Sequence, residues 1–279
     1  MPARRALHVV TGKGGVGKST VAAAIALALA ARGARVLAVE LGGAGGLGRV
    51  LGVPSPVPVM AVDGAAALAE YLTRKVRLGR LGPRLLAHPL YRAFAAAAPG
   101  VRELLAMGKV RDELVLQDRW DAVVVDAGAS GHALEHLRMP AAAARAFGAG
   151  LVHREAAVNA ALLRDRAICR VHVVATPEEM PVREALQVVA ALAALDVPLG
   201  AVIVNQCRPV APAGIDAAIA RLEGELAAIA RRARGWERIQ ERGVAVLEAE
   251  SGCRALRLPR VWTGDVARVL AGPCEEVLS

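Results

Sequence analysis

The chain has 279 residues, a formal net charge of +9 and a hydrophobic fraction of 55%, much of it alanine. This length suits one large α/β domain, and the longest apolar run, residues 21–31, falls short of the roughly 20 residues that a transmembrane helix needs. Residues 1–5 leave no room for a signal peptide before the first apolar run, so we expect a cytoplasmic protein without an integral membrane segment.

The cysteines and the basic residues give no specific site. The four cysteines are scattered and form no C-x-x-C pair, so we expect reduced structural thiols rather than a zinc site. The densest basic segment, residues 74–84, favours a solvated helix face over an anionic partner surface. With an aromatic fraction of 3%, no aromatic side chains interleave to stack on bases. We therefore expect no nucleic-acid partner, and the role of the segment stays open.

The first predicted elements are a strand, a glycine-rich turn and a helix. Residues 7–11 form a short apolar run typical of a buried parallel strand. Residues 19–32 are nearly all good helix formers, and Gly33 gives that helix a stop. Residues 35–39 then predict the second strand.

A helical insertion is expected next. Between Glu40 and Gln117 no equally clear strand is visible, and proline-interrupted, weakly periodic sequence predicts helices over about residues 55–117. Its leucines, with those of residues 141–167, are candidates for an apolar client groove, although leucine at helical spacing favours ordinary core. The groove candidates are Leu68, Leu72, Leu78, Leu81, Leu85, Leu86, Leu90, Phe94, Leu104, Leu105 and Met107.

The rest of the chain alternates strands and helices. Residues 120–126 predict a strand that ends in a carboxylate, at the edge where open parallel sheets place ligands. The later predictions are strands at 170–175, 200–204 and 255–258, helices at 181–195 and 265–271, and an amphipathic stretch at 215–234. The alternation predicts a single α/β domain over residues 1–279 with a doubly wound, mostly parallel sheet.

The strongest motif follows the first strand. Gly12, Gly17, Lys18 and Ser19 satisfy G-x-x-x-x-G-K-[ST] between a strand and a helix, the context of a P-loop NTPase, and an ordinary glycine-rich turn is the weaker alternative. Such a loop turns its N–H groups toward phosphates, while the lysine contacts the β and γ oxygens and the serine holds Mg²⁺. The predicted ligands of ATP here are Gly12, Lys13, Gly14, Gly15, Val16, Gly17, Lys18, Ser19 and Thr20.

A second lysine, Lys13, makes this loop resemble the deviant P-loop of the signature-lysine ATPases. The resemblance implies a nucleotide-sandwich dimer in which Lys13 reaches the partner's phosphates and neutralises charge during phosphoryl transfer.

A second motif resembles the ArsA-like ATPases, which include arsenite pumps and escorts of tail-anchored membrane proteins. Residues 125–134 contain D-x-x-x-[ST]-G-H, and in that family the aspartate, here Asp126, orients magnesium-bound water. The alternative is an aspartate that merely begins a turn. His132 is expected to have a positional role in the following switch rather than to act as a general base.

Further segments resemble the same family along nearly the whole chain. Residues 176–178 read Thr-Pro-Glu, and residues 204–206 read Val-Asn-Gln, the family's adenine-reading segment, in which Asn205 offers a donor and an acceptor. Leu258 and Pro259 resemble its purine-covering loop.

The sequence departs from the family where water is activated. Aligned on the second strand, the place of the water-orienting aspartate falls on Gly42, and Glu40 lies two residues earlier. Without an orienting carboxylate, ATP would bind and turn over slowly, and Glu40 is the candidate substitute. We therefore predict an ATP hydrolase whose rate is in doubt, with Lys13, Lys18, Glu40 and Asp126 as its catalytic residues.

The resemblance implies a nucleotide-gated dimer that couples ATP state to a client or partner protein. A homodimer is simplest, because the chain has one P-loop, and a heterodimer with a paralogous ATPase is the other possibility. The alternative function is a weakly hydrolysing or non-hydrolysing regulatory subunit. A MinD-like surface-positioning ATPase is disfavoured, because residues 266–279 contain Pro273 and no long basic amphipathic helix. The client and the pathway are left open.

Overall fold

The computed structural model describes residues 5–42, 45–64, 66, 67, 70, 100–117, 119–262 and 264–278. The strands are β1 (Ala6–Gly12), β2 (Val36–Leu41), β3 (Val59–Val62), β4 (Ala122–Ala129), β5 (Cys169–Ala175), β6 (Leu199–Cys207) and β7 (Ala255–Pro259). The helices are α1 (Lys18–Ala31), α2 (Gly46–Leu51), α3 (Val101–Arg111), α4 (Ser130–Ala146), α5 (Gly150–Arg164), α6 (Glu179–Leu195), α7 (Ile215–Ala220), α8 (Gly224–Ser251) and α9 (Val266–Cys274). A π-helical turn (Asp112–Leu116) and a 3₁₀ turn (Glu275–Leu278) follow α3 and α9.

The seven strands form one sheet in the order β3-β2-β4-β1-β5-β6-β7, and all neighbours are parallel. The central strands are buried on both faces, and apolar residues, mainly valine, therefore dominate them. The prediction of a doubly wound parallel α/β sheet is confirmed.

Two apolar layers cover the faces of the sheet. One layer joins alternate residues of the strands, such as Val10 and Val124, to the alanine-rich α1 and to α9. The other joins Val9 and Val125 to helices α4, α6 and α8. Alanine lets α1 approach the sheet closely, so the loop that precedes this helix lies directly over the end of β1.

Two sequence predictions are wrong. The prediction of no clear strand in the insertion fails, because Val59–Val62 pairs with β2 at the sheet edge. This strand is short and half exposed, so it lacks the long apolar run of the central strands. The amphipathic stretch 215–234 is two elements, because α7 ends before residue 221 and α8 begins at Gly224.

The proposed client groove is described only in part. Leu104 and Met107 are 5% and 2% exposed and belong to core clusters of the protein, as ordinary leucine spacing indicates. The groove candidates between residues 68 and 94 and the basic segment 74–84 lie outside the described residues.

Candidate functional site

The glycine-rich loop wraps around its own lysine. Lys18 begins α1, and its Nζ donates a hydrogen bond to the carbonyl oxygen of Lys13 at 2.8 Å. Burial lowers the pKa of Lys18, and the nearby Asp126 carboxylate opposes that shift. The ammonium group is thus held inside the loop, where a phosphate would be surrounded by backbone N–H groups.

Two positions in this loop can only be glycine. Gly12 has φ +154°, and a Cβ there would lie 2.1 Å from the carbonyl oxygen of Val174 on β5. Gly17 has φ +90°, and a Cβ there would lie 2.4 Å from Nδ2 of Asn205. The close carbonyl at Gly12 and the positive φ at both positions, which L side chains rarely adopt, explain the glycines physically.

Ser19 and two acidic residues meet beside the loop. The Ser19 hydroxyl donates to Oδ2 of Asp126 at 2.5 Å. Parallel pairing of β2 with β4 places Glu40 opposite Asp126, and both residues are buried, at 5% and 4% exposure. Burial raises the pKa of Asp126, and the charge of Glu40 raises it further against the Ser19 hydrogen bond.

This group fits a hard divalent cation. Magnesium prefers carboxylate and hydroxyl oxygens, which Ser19 and Asp126 supply. Asp126 is a buried carboxylate that lacks full charge compensation, as its raised pKa shows. A cation at this place would stabilise the ionised form of Asp126.

Glu40 points into the site and Gly42 does not supply a substitute. Oε1 of Glu40 accepts a hydrogen bond from the N–H of Gly46 at 2.9 Å. A Cβ on Gly46 would lie 3.4 Å from Oγ of Ser19 and 3.7 Å from that same Oε1, so the two side chains share one corner of the site. Gly42 follows the last residue of β2, with φ +88° and no side chain.

Lys13 is held within its own chain. Its Nζ donates to Oε1 of Glu184 on α6 at 2.6 Å, and the two side chains are 32% and 31% exposed. Glu184 was not predicted as a site residue, because a glutamate on a partly exposed helix face is ordinary and no sequence signal marks it.

The segment with the D-x-x-x-[ST]-G-H motif joins the end of a strand to the start of a helix. Strand β4 continues through Asp126 to Ala129, and α4 begins at Ser130. His132 lies exposed in the first turn of α4. The N–H of Gly128 donates to Oδ1 of Asp126 at 3.4 Å, so the end of β4 is connected to this carboxylate.

Asn205 is hydrogen-bonded to the glycine-rich loop of residues 12–19. Its Nδ2 donates to the carbonyl oxygen of Val16 at 2.9 Å, and the residue is 4% exposed. The register of β6 with β7 places Pro259 opposite Cys207, two residues along from Asn205. Asn205 therefore connects the phosphate loop to the strand ends where a base would lie.

A pocket of about 140 Å³ lies beside the ends of β6 and β7. Its arginine and tryptophan side chains were not among the predicted site residues. The guanidinium of Arg208 stacks at 5.5 Å over the ring of Trp236, and that of Arg260 stacks at 4.2 Å over Trp262. The lining residues are Pro177, Glu178, Gln206, Arg208, Trp236, Ile239, Gln240 and Arg260.

The chain is similar in sequence to known ATPases. The profile of the anion-transporting ATPase (ArsA) family matches residues 6–158. ATPase BagA of Mycobacterium tuberculosis is 36% identical over 224 residues, which cover 73% of this chain and 65% of that protein. The arsenical pump-driving ATPase of Acidiphilium multivorum is 32% identical over 145 residues, 47% of this chain and 25% of that protein. The chain thus spans 65% of the length of BagA.

Proposed function

The chain belongs to the anion-transporting ATPase (ArsA) family, and we propose that it binds ATP with Mg²⁺ and hydrolyses it to change its contacts with another protein. The observation that carries this proposal is the arrangement of Lys18, Ser19, Glu40 and Asp126 around one corner of the phosphate loop. We extend it over residues 1–279 as one ATPase domain.

Each residue has a defined task in the proposed reaction. Backbone N–H groups of residues 12–20 and the Lys18 ammonium bind the phosphates. Ser19 and Asp126 would hold Mg²⁺, which supplies charge neutralisation at the β and γ phosphates when bound. Glu40 is fixed by the N–H of Gly46. It is the carboxylate best placed to orient the attacking water, because Gly42 stands where the family has its water-orienting aspartate. Asn205 and Pro259 flank the adenine.

Lys13 gives the reaction its proposed dependence on a dimer. With its ammonium on Glu184, Lys13 is engaged at the edge of its own chain. Exchange of this half-exposed ion pair for a partner's phosphate costs little, because exposed ion pairs contribute only about 1 kcal/mol or less. We propose a homodimer, or a heterodimer with a paralogous ATPase, that forms when ATP draws Lys13 away from Glu184.

A second candidate function is a regulatory subunit that binds ATP without turnover. The observation that favours it is Gly42, because Glu40 starts two residues earlier on the strand and is already hydrogen-bonded. ATP would then stabilise the assembly rather than drive a cycle.

The test is Mg²⁺-dependent ATP binding and single-turnover hydrolysis on the wild type and on Lys18→Ala, Lys13→Ala and Glu40→Gln. Arg166→Ala, which changes an exposed cation outside the site, is the control. The ATPase proposal expects Lys18→Ala to abolish binding, and Lys13→Ala and Glu40→Gln to slow turnover at least tenfold with binding retained. Wild-type binding without turnover, alone and with candidate partners, would favour the regulatory subunit. Absence of binding would contradict both.

A further inference from the structure

Asn205 is turned toward the phosphate loop and leaves little for a base to contact. Its Nδ2 donates to the carbonyl oxygen of Val16 at 2.9 Å, and the same atom would lie 2.4 Å from a Cβ on Gly17. The residue is 4% exposed. Its carboxamide therefore holds the loop, and a base bound at the ends of β6 and β7 needs another donor and acceptor.

The next residue, Gln206, provides such a pair. The register of β6 with β7 shifts between Val204 and Cys207, and within this irregularity Gln206 has φ +61°. Irregularities of this kind re-aim side chains next to functional sites, and L residues rarely adopt a positive φ. Among the residues that the structure describes, none is hydrogen-bonded to the half-buried Gln206 side chain. Its amide nitrogen and oxygen are thus both available to a ligand.

Only one other described non-glycine residue has a positive φ. It is Asp196, at the C-terminal end of α6, where helices commonly finish in this conformation. No helix ends at Gln206, so this explanation does not apply to it. A non-glycine residue kept in this conformation at a strand end indicates a functional constraint.

Gln206 lines the pocket beside the ends of β6 and β7. The volume of about 140 Å³ is close to the roughly 150 Å³ that holds one benzene ring, so the pocket admits one ring of a heterocycle. Consecutive Cα atoms are about 3.8 Å apart, so the pocket begins one residue from Asn205 and its bond to the phosphate loop. A nucleotide with its phosphates on residues 12–20 would pass Asn205 before its base reached Gln206.

The arginines of this pocket are held by their backbones and suit the face of a base. Oε1 of the buried Gln240 accepts from the N–H of Arg208 at 2.7 Å, and its Nε2 donates to the Arg208 carbonyl oxygen at 3.1 Å. The Arg208 guanidinium lies over Trp236, and the N–H of Arg260 donates to the carbonyl oxygen of Cys207 at 2.8 Å. Guanidinium and indole groups stack on any nucleobase. They supply affinity for a base without distinguishing one purine from another.

A small anion is the other occupant that two arginines suit. Within the described part of the chain neither Arg208 nor Arg260 has an ion pair, but Glu178 stands in the same wall and would repel an anion. The free carboxamide of Gln206 both donates and accepts, as a neutral heterocycle requires. The chemistry of the pocket therefore favours a base.

We propose that Gln206 is the residue that distinguishes adenine from guanine. Adenine presents the N7 acceptor beside the N6 amino donor, whereas guanine presents two acceptors, N7 and O6. One glutamine carboxamide pairs with both groups of adenine, but against guanine its oxygen meets an acceptor. The unpaired group makes guanine the weaker ligand. The inference rests on the proposed function, because it concerns the base of the same nucleotide.

The test is calorimetric titration of the full chain with ATP and with GTP, each in the presence of Mg²⁺. The wild type is expected to bind ATP at least tenfold more tightly than GTP. Gln206→Met keeps the length of the side chain without its amide. It should weaken ATP binding about fivefold, the lower end of what one bidentate base contact contributes, and leave GTP binding unchanged. The preference for ATP should therefore fall about fivefold.

Three further variants separate base recognition from positioning of the loop. Asn205→Ala should weaken ATP and GTP by the same factor, because the loop that Asn205 holds binds phosphates common to both nucleotides. Gln187→Met is the matched control with an unchanged preference, because Gln187 is exposed on α6 and outside the pocket. Gln206→Gly removes the carboxamide and suits a positive φ, so it should lose the preference yet unfold at or above the wild-type temperature.

Several results would overturn the inference while leaving the proposed ATP binding intact. Equal affinity of the wild type for ATP and GTP would do so, as would a Gln206→Met variant that keeps the wild-type preference. A preference lost in Asn205→Ala and kept in Gln206→Met would assign base recognition to Asn205. Binding of neither nucleotide by the wild type would overturn the proposed function together with this inference.

Discussion

The two ends of the candidate nucleotide site are built in opposite ways. At the phosphate end, Lys18, Ser19 and Asp126 are held by short hydrogen bonds, and Asp126 is buried. At the base end, Arg208 and Arg260 are exposed and stack on tryptophans that are themselves 43% and 71% exposed. Phosphate binding requires fixed N–H groups and fixed charge, whereas a base is held by surfaces that tolerate adjustment. The more rigid part of the candidate site is therefore the phosphate end.

The largest effect is a loss of stability, expected at Gly12 in the glycine-rich loop. Gly12→Ala places a Cβ against the carbonyl oxygen of Val174 and should lower the free energy of unfolding by about 3 kcal/mol or more, measured by urea denaturation. Gly14→Ala is the control, because no atom lies within 4 Å of its Cβ and its φ is not in the left-handed region. If both variants lose the same stability, the steric account of Gly12 is wrong.

The second prediction concerns a buried pair of histidines in the sheet, His8 and His172. His8 on β1 and His172 on β5 are almost completely buried, with Nδ1 of His8 2.9 Å from Nε2 of His172. Burial, and then Arg170, lower the pKa of His8 from 6.5 to about 4. Between pH 6.5 and 4 this histidine is therefore protonated in the unfolded chain and neutral in the folded chain. The free energy of unfolding should fall by about 3 kcal/mol as the pH falls through this window.

Denaturation at a series of pH values measures this loss. His8→Gln, which cannot take up the proton, should show a shallower decline with acid, and exposed His132→Gln should decline like the wild type. A wild-type stability that stays constant from pH 6.5 to 4 would contradict the expected proton linkage.

Asn205 is where the two ends meet, and its removal should affect both. Asn205→Ala leaves the carbonyl oxygen of Val16 without its hydrogen bond, at a cost of about 1–3 kcal/mol, and should weaken ATP binding about tenfold. Calorimetric titration with ATP measures the loss. Gln206→Ala changes the half-buried neighbour in the pocket and should weaken binding less. The reverse order would mean that the base end, rather than the loop, limits affinity.

The smallest effect has the opposite sign. Because burial raises the pKa of Asp126, its charge costs stability as the pH rises through its folded pKa, and Asp126→Asn should slightly raise Tm at neutral pH without Mg²⁺. The same variant should lose Mg²⁺-dependent ATP binding. Asp121→Asn is the contrasting control: Arg35 lowers the pKa of Asp121 to about 2, so loss of that charge should lower Tm. A fall in Tm for both variants would show that neighbouring groups fully stabilise the negative charge of Asp126.

The sequence by itself determined the class of fold and marked residues 12–19 as the candidate phosphate loop. Residues 12–19 are contiguous, and a run of glycines ending in lysine and serine specifies a phosphate loop wherever a strand precedes and a helix follows it. The long apolar runs of β1 and β4 likewise identified buried parallel strands, because a strand covered on both faces has no polar side. β3 was missed for the converse reason, since an edge strand of four residues has neither length nor burial.

Only the tertiary structure decided which distant side chains complete the site. Lys13 meets Glu184 across 171 residues, Ser19 meets Asp126 across 107, and Asn205 meets the carbonyl of Val16 across 189. Motifs marked Asp126 and Asn205 in the sequence without giving these contacts, and Glu184 is ordinary in its own segment. They come together because the strand order β4-β1-β5-β6 brings the carboxyl ends of strands from distant parts of the chain to one edge.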